Sequence, residues 1–306
     1  MESAVTTCYR HPKVESHVRC TRCDRYICPD CMREASVGHQ CVECVKEGLK
    51  SIRQARTAFG GRFTGASATV TYALIGLNLV AYLAELAVPA LVDRFGMLGA
   101  GLVDSAGQRY YYEPGPLVGL GFEPVGVVAG EWYRLLTGAF LHLNAASSTF
   151  GIIHVVLNMF ALKNLGPVVE SQLGRARFVA LYLLSALGGC VLVYLISPDD
   201  LVVGASGAIF GLGGAFYVIS RRLNHDMRAV NRFMGGFLLW MLISAAFTSW
   251  EGHLGGLLAG GALTAAFAYA PQSRRTVLHA VACAGMLALL VTLVALKTSS
   301  LTAWAA

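Results

Sequence analysis

Two residues in this sequence have side chains that could form a nucleophile and its general base. Ser206 lies in the segment Gly-Ala-Ser-Gly, residues 204–207, and His253 opens the segment His-Leu-Gly-Gly, residues 253–256. Each stands just inside the start of a different apolar stretch of membrane-spanning length. If both stretches enter the bilayer from the same side, the hydroxyl and the imidazole reach the same depth and can attack a peptide bond together. The alternative interpretation is that the two side chains only hydrogen-bond one helix to another.

The composition indicates an integral membrane protein with a small soluble part. Of the 306 residues, 55% are hydrophobic and only 14% are charged. Because a helix needs about 20 apolar residues to cross a bilayer, we predict seven spans, at roughly 68–90, 150–166, 177–197, 204–220, 233–250, 253–270 and 277–297. The first 65 residues are polar, basic and rich in cysteine, and they do not resemble a cleavable signal peptide.

Basic residues predict the orientation, because loops rich in Lys and Arg stay in the cytoplasm. Five basic residues precede the first span, and arginines recur in every second loop, at 175–177, 221–232 and 274–275. The opposite loops, Pro-Asp-Asp at 198–200 and Trp-Glu-Gly at 250–252, contain none. We therefore expect a multi-pass protein of the plasma membrane with a cytoplasmic N-terminus and an external C-terminus. The net charge of +6 reflects this topology, and a nucleic-acid partner is not expected.

Small residues allow the two spans that carry Ser206 and His253 to approach closely. Gly204, Gly207, Gly211 and Gly214 recur at steps of three, four and three, which predicts one stripe along a helix. Gly256 and Gly260 follow His253 on its own face. Such faces let membrane helices pack backbone to backbone.

A second pair of polar residues is predicted at the depth of Ser206. His154 and Asn158 are spaced i, i+4 and so project from one face of the second span. Alone, such a pair is usually structural. Directed at a serine, it could stabilise negative charge that develops on an attacked carbonyl oxygen.

Together these motifs resemble the rhomboid intramembrane serine proteases, over about residues 66–270. Two further segments fit: Gly-Pro-Val-Val-Glu-Ser-Gln-Leu-Gly at 166–174 resembles the rhomboid Gly-xxx-Glu-xxx-Gly turn, and Glu-Trp-Tyr-Arg at 131–134 resembles the Trp-Arg motif of the first external loop. The resemblance implies a six-helix core that cleaves transmembrane substrates with a Ser206–His253 dyad. It implies an oxyanion site formed by the backbone N–H of Ser206 with Asn158 and His154. No third acid is implied, and we interpret Asp199 and Asp200 as a solvated external loop.

The chain departs from the family pattern at several positions. The aromatic residue four positions after the serine is Phe210, which can stack on His253 but cannot donate a hydrogen bond. Residues 144–150 read as an insertion, and 277–297 as an additional seventh span. We interpret His142 as a surface histidine, although it could line a water path, and His279 as a structural or interfacial one. The long segment 93–146 is expected to form an amphipathic hairpin at the lipid interface.

Seven of the nine cysteines lie within residues 8–44, where they form pairs with metal-ligand spacing. The eight predicted ligands are Cys8, His11, Cys20, Cys23, Cys28, Cys31, Cys41 and Cys44. This number of ligands suits two structural Zn2+ ions, and an odd number of thiols in a reducing compartment argues against disulfides. The order resembles a B-box-like or RING-like cross-brace, in which alternate pairs share an ion, and a sequential arrangement is the alternative.

The sequence thus predicts an all-α polytopic membrane protein. We assign a zinc-binding module to residues 1–45, a basic juxtamembrane linker to 46–65, the protease core to 66–271, and the seventh helix with an external tail to 272–306. The expected partners are transmembrane substrates, the bilayer and an unknown protein that contacts the zinc module. The first alternative function is a catalytically silent protein that binds transmembrane segments. The second, a transporter, predicts inverted repeats that we do not find.

Overall fold

The chain folds as two compact units, Met1–Ala55 and Arg56–Ala306. The computed structural model describes residues 6–51, 56–61, 68–112, 121–143, 150–245 and 248–303. The predicted insertion at 144–150 therefore lies almost entirely outside the described residues.

The N-terminal unit contains little regular structure. A short 3-10 helix, Pro29–Cys31, leads into the antiparallel strands β1 (Met32–Glu34) and β2 (His39–Cys41), and helix α1 (Val42–Ser51) follows. Its buried interior consists of Ile27 and six cysteines. Because so small an apolar interior cannot stabilise a domain of this length, another source of stability is required. Helix α1 occupies the first part of the segment that we interpret as a linker.

Among the residues that the structure describes, the second unit contains seven long helices. They are α2 (Thr69–Ala87), α5 (Phe150–Leu173), α6 (Arg175–Ile196), α7 (Ser206–Arg222), α8 (Met227–Ser244), α9 (Trp250–Ala268) and α10 (Arg275–Thr302). Each overlaps one predicted span, although α8 begins and ends six residues before the predicted 233–250 and α5 continues seven residues past the predicted 150–166. Four of the described helices, α2, α5, α6 and α10, are long and apolar enough to cross a membrane. The protein is therefore a polytopic, predominantly helical membrane protein, and the crossing of α7, α8 and α9 stays a prediction.

Helices α6, α7 and α9 form the centre of this unit. The packing of α7 against α9 is the most extensive, and α6 lies against both. Helix α5 packs on α2, α6 and α7, while α10 lies against α6 and α9. Large buried side chains such as Phe178, Tyr182, Leu212 and Phe267 fill the space between them. The two residues of the predicted dyad thus lie on helices at the centre of the unit.

A buried carboxylate fixes the start of α2. Glu170, on α5, is almost fully buried. It accepts hydrogen bonds from the backbone N–H of Val70 at 3.1 Å and from the backbone N–H and hydroxyl of Thr71, both at 2.8 Å. Since the first N–H groups of a helix have no partner within it, Glu170 acts as the N-terminal cap of α2.

The segment between α2 and α5 contains a small sheet that the sequence reading did not specify. After α3 (Ala90–Phe95) come β3 (Gly101–Asp104), β4 (Arg109–Tyr110) and β5 (Phe122–Val125), which pair antiparallel in the order β4-β3-β5. The short helix α4 (Arg134–Thr137) follows. The expected hairpin is thus a β-hairpin with a third strand, and its location at the lipid interface stays a prediction.

Arg134 ties this segment together from the inside. It is only 4% exposed. Its Nε donates to the carboxylate of Glu131 at 2.7 Å, and its Nη1 donates to the backbone oxygens of Asp93 and Gly96 at 2.7 and 2.9 Å. A buried guanidinium needs such partners, and here they fix α3 relative to α4.

Candidate active site and metal centres

The structure brings Ser206 and His253 into direct contact. Ser206 is the first residue of α7, and His253 lies in the first turn of α9. The distance from Nε2 of His253 to Oγ of Ser206 is 2.9 Å, which is a hydrogen bond. His253 is 4% exposed, whereas Ser206 is partly exposed. The imidazole is therefore shielded while the hydroxyl can be reached.

The described surroundings of His253 hold its ring in place without an acid that orients it. Its ring stacks on Phe210, with 4.3 Å between centroids and 20° between planes. Among the described residues, nothing hydrogen-bonds to its Nδ1. Asp199 instead accepts a bond from the backbone N–H of Tyr112 at 3.4 Å, and Asp200 is exposed. When Nδ1 carries the proton, Nε2 is free to accept the Ser206 proton, so the arrangement is a dyad without an orienting acid.

Glycine-to-backbone contacts hold the two helices close enough for this bond. A Cβ atom on Gly207 would lie 3.1 Å from the carbonyl oxygen of Gly252, and one on Gly211 would lie 3.0 Å from that of Gly256. A Cβ atom on Gly260 would in turn overlap the backbone of Gly211. The predicted close packing of these helices is confirmed by these contacts.

The prediction that Gly204 belongs to the glycine stripe on α7 is wrong. Gly204 precedes α7, which begins only at Ser206, and its φ of +136° lies outside the helical region. Its neighbour is the ring of His154, whose Cε1 and Nε2 would be 2.8 and 3.0 Å from a Cβ atom at this position. The prediction rests on the spacing between glycines alone. That spacing is the same whether Gly204 belongs to the helix or lies just before its first residue.

His154 and Asn158 lie beside the Ser206–His253 pair, as the i, i+4 spacing predicts. Both are 6% exposed, and both line a small cavity of about 70 Å3 together with Ser206 and His253. The side-chain amide of Asn158 donates to the backbone oxygen of His154 at 2.8 Å. One N–H of the amide is therefore bonded within its own helix, and its second N–H remains to donate to another acceptor.

Ser206 lies where two cavities meet. The small one lies between α5 and α8, where apolar side chains such as Leu157, Phe237 and Trp240 line it. The second has a volume of about 450 Å3 and is lined by α6, the start of α7, the start of α9 and the segment before α7. A substrate chain therefore finds space on both sides of the hydroxyl.

The interpretation of His142 as a surface residue is wrong. His142 is fully buried, and its backbone N–H donates to both carboxylate oxygens of Glu85 on α2, at 3.0 and 3.2 Å. Its ring lies between Tyr82 and His154, with centroid distances of 6.1 and 5.5 Å. The sequence did contain a signal, since Glu85 is the only Asp, Glu, Lys or Arg residue in the first span and an acid inside a span usually marks a built site.

Glu251 is another buried acid near the candidate site, and the sequence predicts it only as part of an external loop. It lies in the first turn of α9, two positions before His253, and is 7% exposed. Its carboxylate accepts hydrogen bonds from the hydroxyls of Ser197 at 2.8 Å and Ser249 at 3.0 Å. It lines the larger cavity. Its position so close to His253 was the available signal.

The N-terminal unit gathers the eight predicted metal ligands into two clusters. One contains Cys8, His11, Cys28 and Cys31, and the other contains Cys20, Cys23, Cys41 and Cys44. Within each cluster the four ligand atoms lie within 4.8 Å of one another, and His11 directs Nδ1 at the thiols of Cys28 and Cys31. Alternate pairs meet, which is the cross-braced order. Each cluster could hold one metal ion.

The electrostatics of these thiols suit a cation. Burial raises the pKa of Cys8, but backbone N–H groups directed at the sulfur outweigh it and bring the value to about 6. The same balance brings the pKa of Cys20 to about 6. Burial together with neighbouring thiols raises the pKa of Cys31 to about 11 and that of Cys44 to about 12. A divalent ion favours the thiolate form of all four, because thiolates are its ligands.

Comparison with known proteins shows what part of the helical unit is similar to. Residues 129–271 match the model of the Rhomboid domain. The chain is 34% identical over 152 residues to Rhomboid protease GluP of Bacillus subtilis, which is 47% of this chain and 28% of the relative. It is 41% identical over 93 residues to Putative rhomboid protease YdcA of the same organism (30% and 43%), and 31% identical over 163 residues to Rhomboid-like protease 3 of Toxoplasma gondii (50% and 59%). The matches thus span between about a quarter and three fifths of these relatives.

Proposed function

Because residues 129–271 match the model of the Rhomboid domain, we propose that the protein is an intramembrane serine endopeptidase that uses a Ser206–His253 dyad. The observation that carries the proposal is the 2.9 Å contact between Oγ of Ser206 and Nε2 of His253. The match to Rhomboid protease GluP covers only 28% of that relative's length, so the activity is argued from the geometry of these residues.

The chemistry follows the roles of a nucleophile and a general base. Ser206 Oγ attacks the scissile carbonyl carbon while Nε2 of His253 takes its proton. Nε2 then returns the proton to the leaving amine as the C–N bond breaks, which leaves an acyl group on Ser206. Water, deprotonated by Nε2, hydrolyses the ester and restores the serine. Phe210 supports the ring of His253 from one side throughout.

Three donors are proposed for the oxyanion that forms during attack. Ser206 is the first residue of α7, so its N–H has no partner within the helix and lies at the positive end of the helix dipole. The side chains of His154 and Asn158 line the same cavity. A donor that is aimed at developing charge typically contributes about 10²–10³-fold to kcat.

The substrate class is proposed to be transmembrane segments. The small cavity opens between α5 and α8 among apolar side chains, which suits a lipid-embedded chain. A helical substrate keeps its carbonyls bonded internally, so the scissile bond must leave the helix before attack. We assign the protein to the plasma membrane with a cytoplasmic N-terminus, an external C-terminus and an active site that opens outwards, since the basic loops support this orientation.

The N-terminal unit is proposed to bind two structural Zn2+ ions. Two cross-braced clusters of four Cys and His ligands fit tetrahedral zinc, and binding would supply the folding free energy that its small interior lacks. Its role is contact with a protein partner. Nucleic acid is not a proposed ligand, because thiolate charge offsets the basic residues of the module.

The test is cleavage of a panel of model transmembrane substrates by the purified protein in lipid vesicles. Wild-type protein is expected to form products, Ser206→Ala none, and Asn158→Ala products at a rate about 10²-fold lower. The rival function, a silent protein that binds transmembrane segments, predicts that Ser206→Ala and wild type behave alike while both still bind the substrates.

A further inference from the structure

The charged residues that line the larger cavity beside Ser206 are all acidic. Two acidic residues line it, Asp200 and Glu251, and none of the described residues that line it is Lys or Arg. Its volume of about 450 Å3 falls within the range of ordinary ligand pockets, roughly 300–1,000 Å3. The space can therefore take a long side chain from a substrate whose scissile bond lies at Ser206.

Glu251 is the carboxylate with the greater effect on this cavity. Asp200 is exposed, so water screens its charge, whereas Glu251 is only 7% exposed. Within the described part of the chain, its two oxygens accept only from neutral hydroxyl donors, those of Ser197 and Ser249. No Lys or Arg among the described residues forms an ion pair with it.

A buried carboxylate without a cationic partner is costly unless something compensates it. The start of α9 supplies part of the compensation, because an acid in the first turn interacts favourably with the helix dipole. That role alone does not require the acidic residue to line a cavity next to a nucleophile. A cationic group in the cavity would complete the site with a charge-assisted hydrogen bond.

We propose that Glu251 is a specificity-determining residue and that this cavity selects substrates with Lys or Arg next to the scissile bond. The inference rests on the proposed protease function and deepens it by naming a substrate class. The basic side chain extends from Ser206 past the start of α9, and its charged end meets Glu251, with Asp200 at the exposed part of the lining. An acidic substrate residue is disfavoured at the same place because two carboxylates repel it.

The test uses one cleavable transmembrane substrate in lipid vesicles, with Met, Lys or Glu placed in turn at each residue that flanks its scissile bond. Met and Lys have unbranched side chains of similar length and differ in charge. At one flanking position, wild-type protein is expected to show kcat/KM for Lys about ten- to a hundredfold above that for Met, the range of a hydrogen bond to a charged group, and Glu is expected to be the poorest of the three.

Glu251→Gln keeps the shape and the acceptor oxygen but removes the charge, so the Lys-to-Met ratio is expected to fall to near one. The matched control is Glu123→Gln, which removes an exposed carboxylate on β5 that does not line the cavity, and it should keep the wild-type ratio. Equal kcat/KM for Lys and Met with wild type, or an unchanged Lys-to-Met ratio in Glu251→Gln, overturns the proposed specificity but leaves the proposed protease function intact. If wild type cleaves no form of the substrate and Ser206 also fails to react with a fluorophosphonate, the proposed function itself fails.

Discussion

Gly204 controls the distance between His154 and the nucleophile. Its φ of +136° is a conformation that residues with a Cβ atom rarely adopt, and the ring of His154 fills the space that a side chain would need. The oxyanion site proposed above therefore depends on a glycine two residues before Ser206. Gly204 lies close to the nucleophile in the sequence, but its role is to leave space for the ring of His154 on α5.

Gly204→Ala is expected to reduce kcat at least about tenfold, because the methyl group pushes His154 away from Ser206. The strained backbone should also destabilise the fold by about 1–3 kcal/mol. The measurement is substrate cleavage together with thermal unfolding in detergent. The control is Gly76→Ala on α2, where a Cβ atom meets nothing within 4 Å and stability should stay the same or rise slightly. Wild-type kcat in Gly204→Ala contradicts the assignment of His154.

Residue types and spacings predicted which side chains meet, but not what surrounds them. The contact of Ser206 with His253, and the position of His154 and Asn158 beside it, follow from helix periodicity and topology. The burial of His142 does not, because it depends on Glu85, which is 57 positions away in the sequence. The environment of Glu251 likewise depends on Ser197 from another helix end, and no local pattern encodes that pairing.

The packing of α7 against α9 determines whether the dyad exists at all. Neither residue of the dyad is held by an orienting acid among the described residues, so the two helices must set the distance between Oγ and Nε2. Glycines at the contact let backbone lie on backbone. Small additions at this contact should therefore affect catalysis as well as stability.

Two adjacent glycines on α9 provide a matched test of this packing. A Cβ atom on Gly260 overlaps the backbone of Gly211, whereas one on Gly261 is 4.0 Å from its nearest neighbour, Gly214. Gly260→Ala is expected to destabilise the protein by about 1–3 kcal/mol and to lower kcat at least about tenfold. Gly261→Ala should be neutral or slightly stabilising, because Ala favours helix by about 1 kcal/mol. Similar unfolding temperatures and rates for the two variants contradict this account.

The helices were more predictable than the segment that connects α2 to α5. Long apolar runs separated by charged loops locate each helix, since the bilayer constrains their length. The ends of α5 and α8 nevertheless differ from the predicted ends by six or seven residues. The three-stranded sheet of residues 101–125 is built from strands of two to four residues, and such strands are too short to produce a periodic pattern. Their pairing is decided by contacts between segments that are separate in the sequence.

The molecule as a whole combines two units with different sources of stability. The helical unit buries large apolar side chains between its helices. The N-terminal unit buries mainly cysteines around two potential metal centres. Removal of metal should therefore affect the two units differently.

The purified protein is expected to contain two zinc ions per chain, as measured by inductively coupled plasma mass spectrometry. Cys28→Ser should lose about one ion, because it removes a ligand from one cluster only. Cys190→Ser should keep both, since Cys190 lies on α6 outside the clusters. A strong chelator is expected to make residues 6–51 susceptible to protease while the helical content of the membrane unit persists. Less than one zinc per chain in fresh wild-type protein contradicts the module.

The central claim is that Ser206 is a nucleophile activated by His253, and site-resolved labelling tests it without knowledge of the substrate. The protein in lipid vesicles is treated with a fluorophosphonate, digested, and analysed by mass spectrometry. We predict an adduct on Ser206 in wild type and an at least about 10²-fold slower reaction in His253→Ala, because the general base is lost. An unmodified Ser206 in folded wild-type protein, or equal labelling rates in the two proteins, would contradict the account.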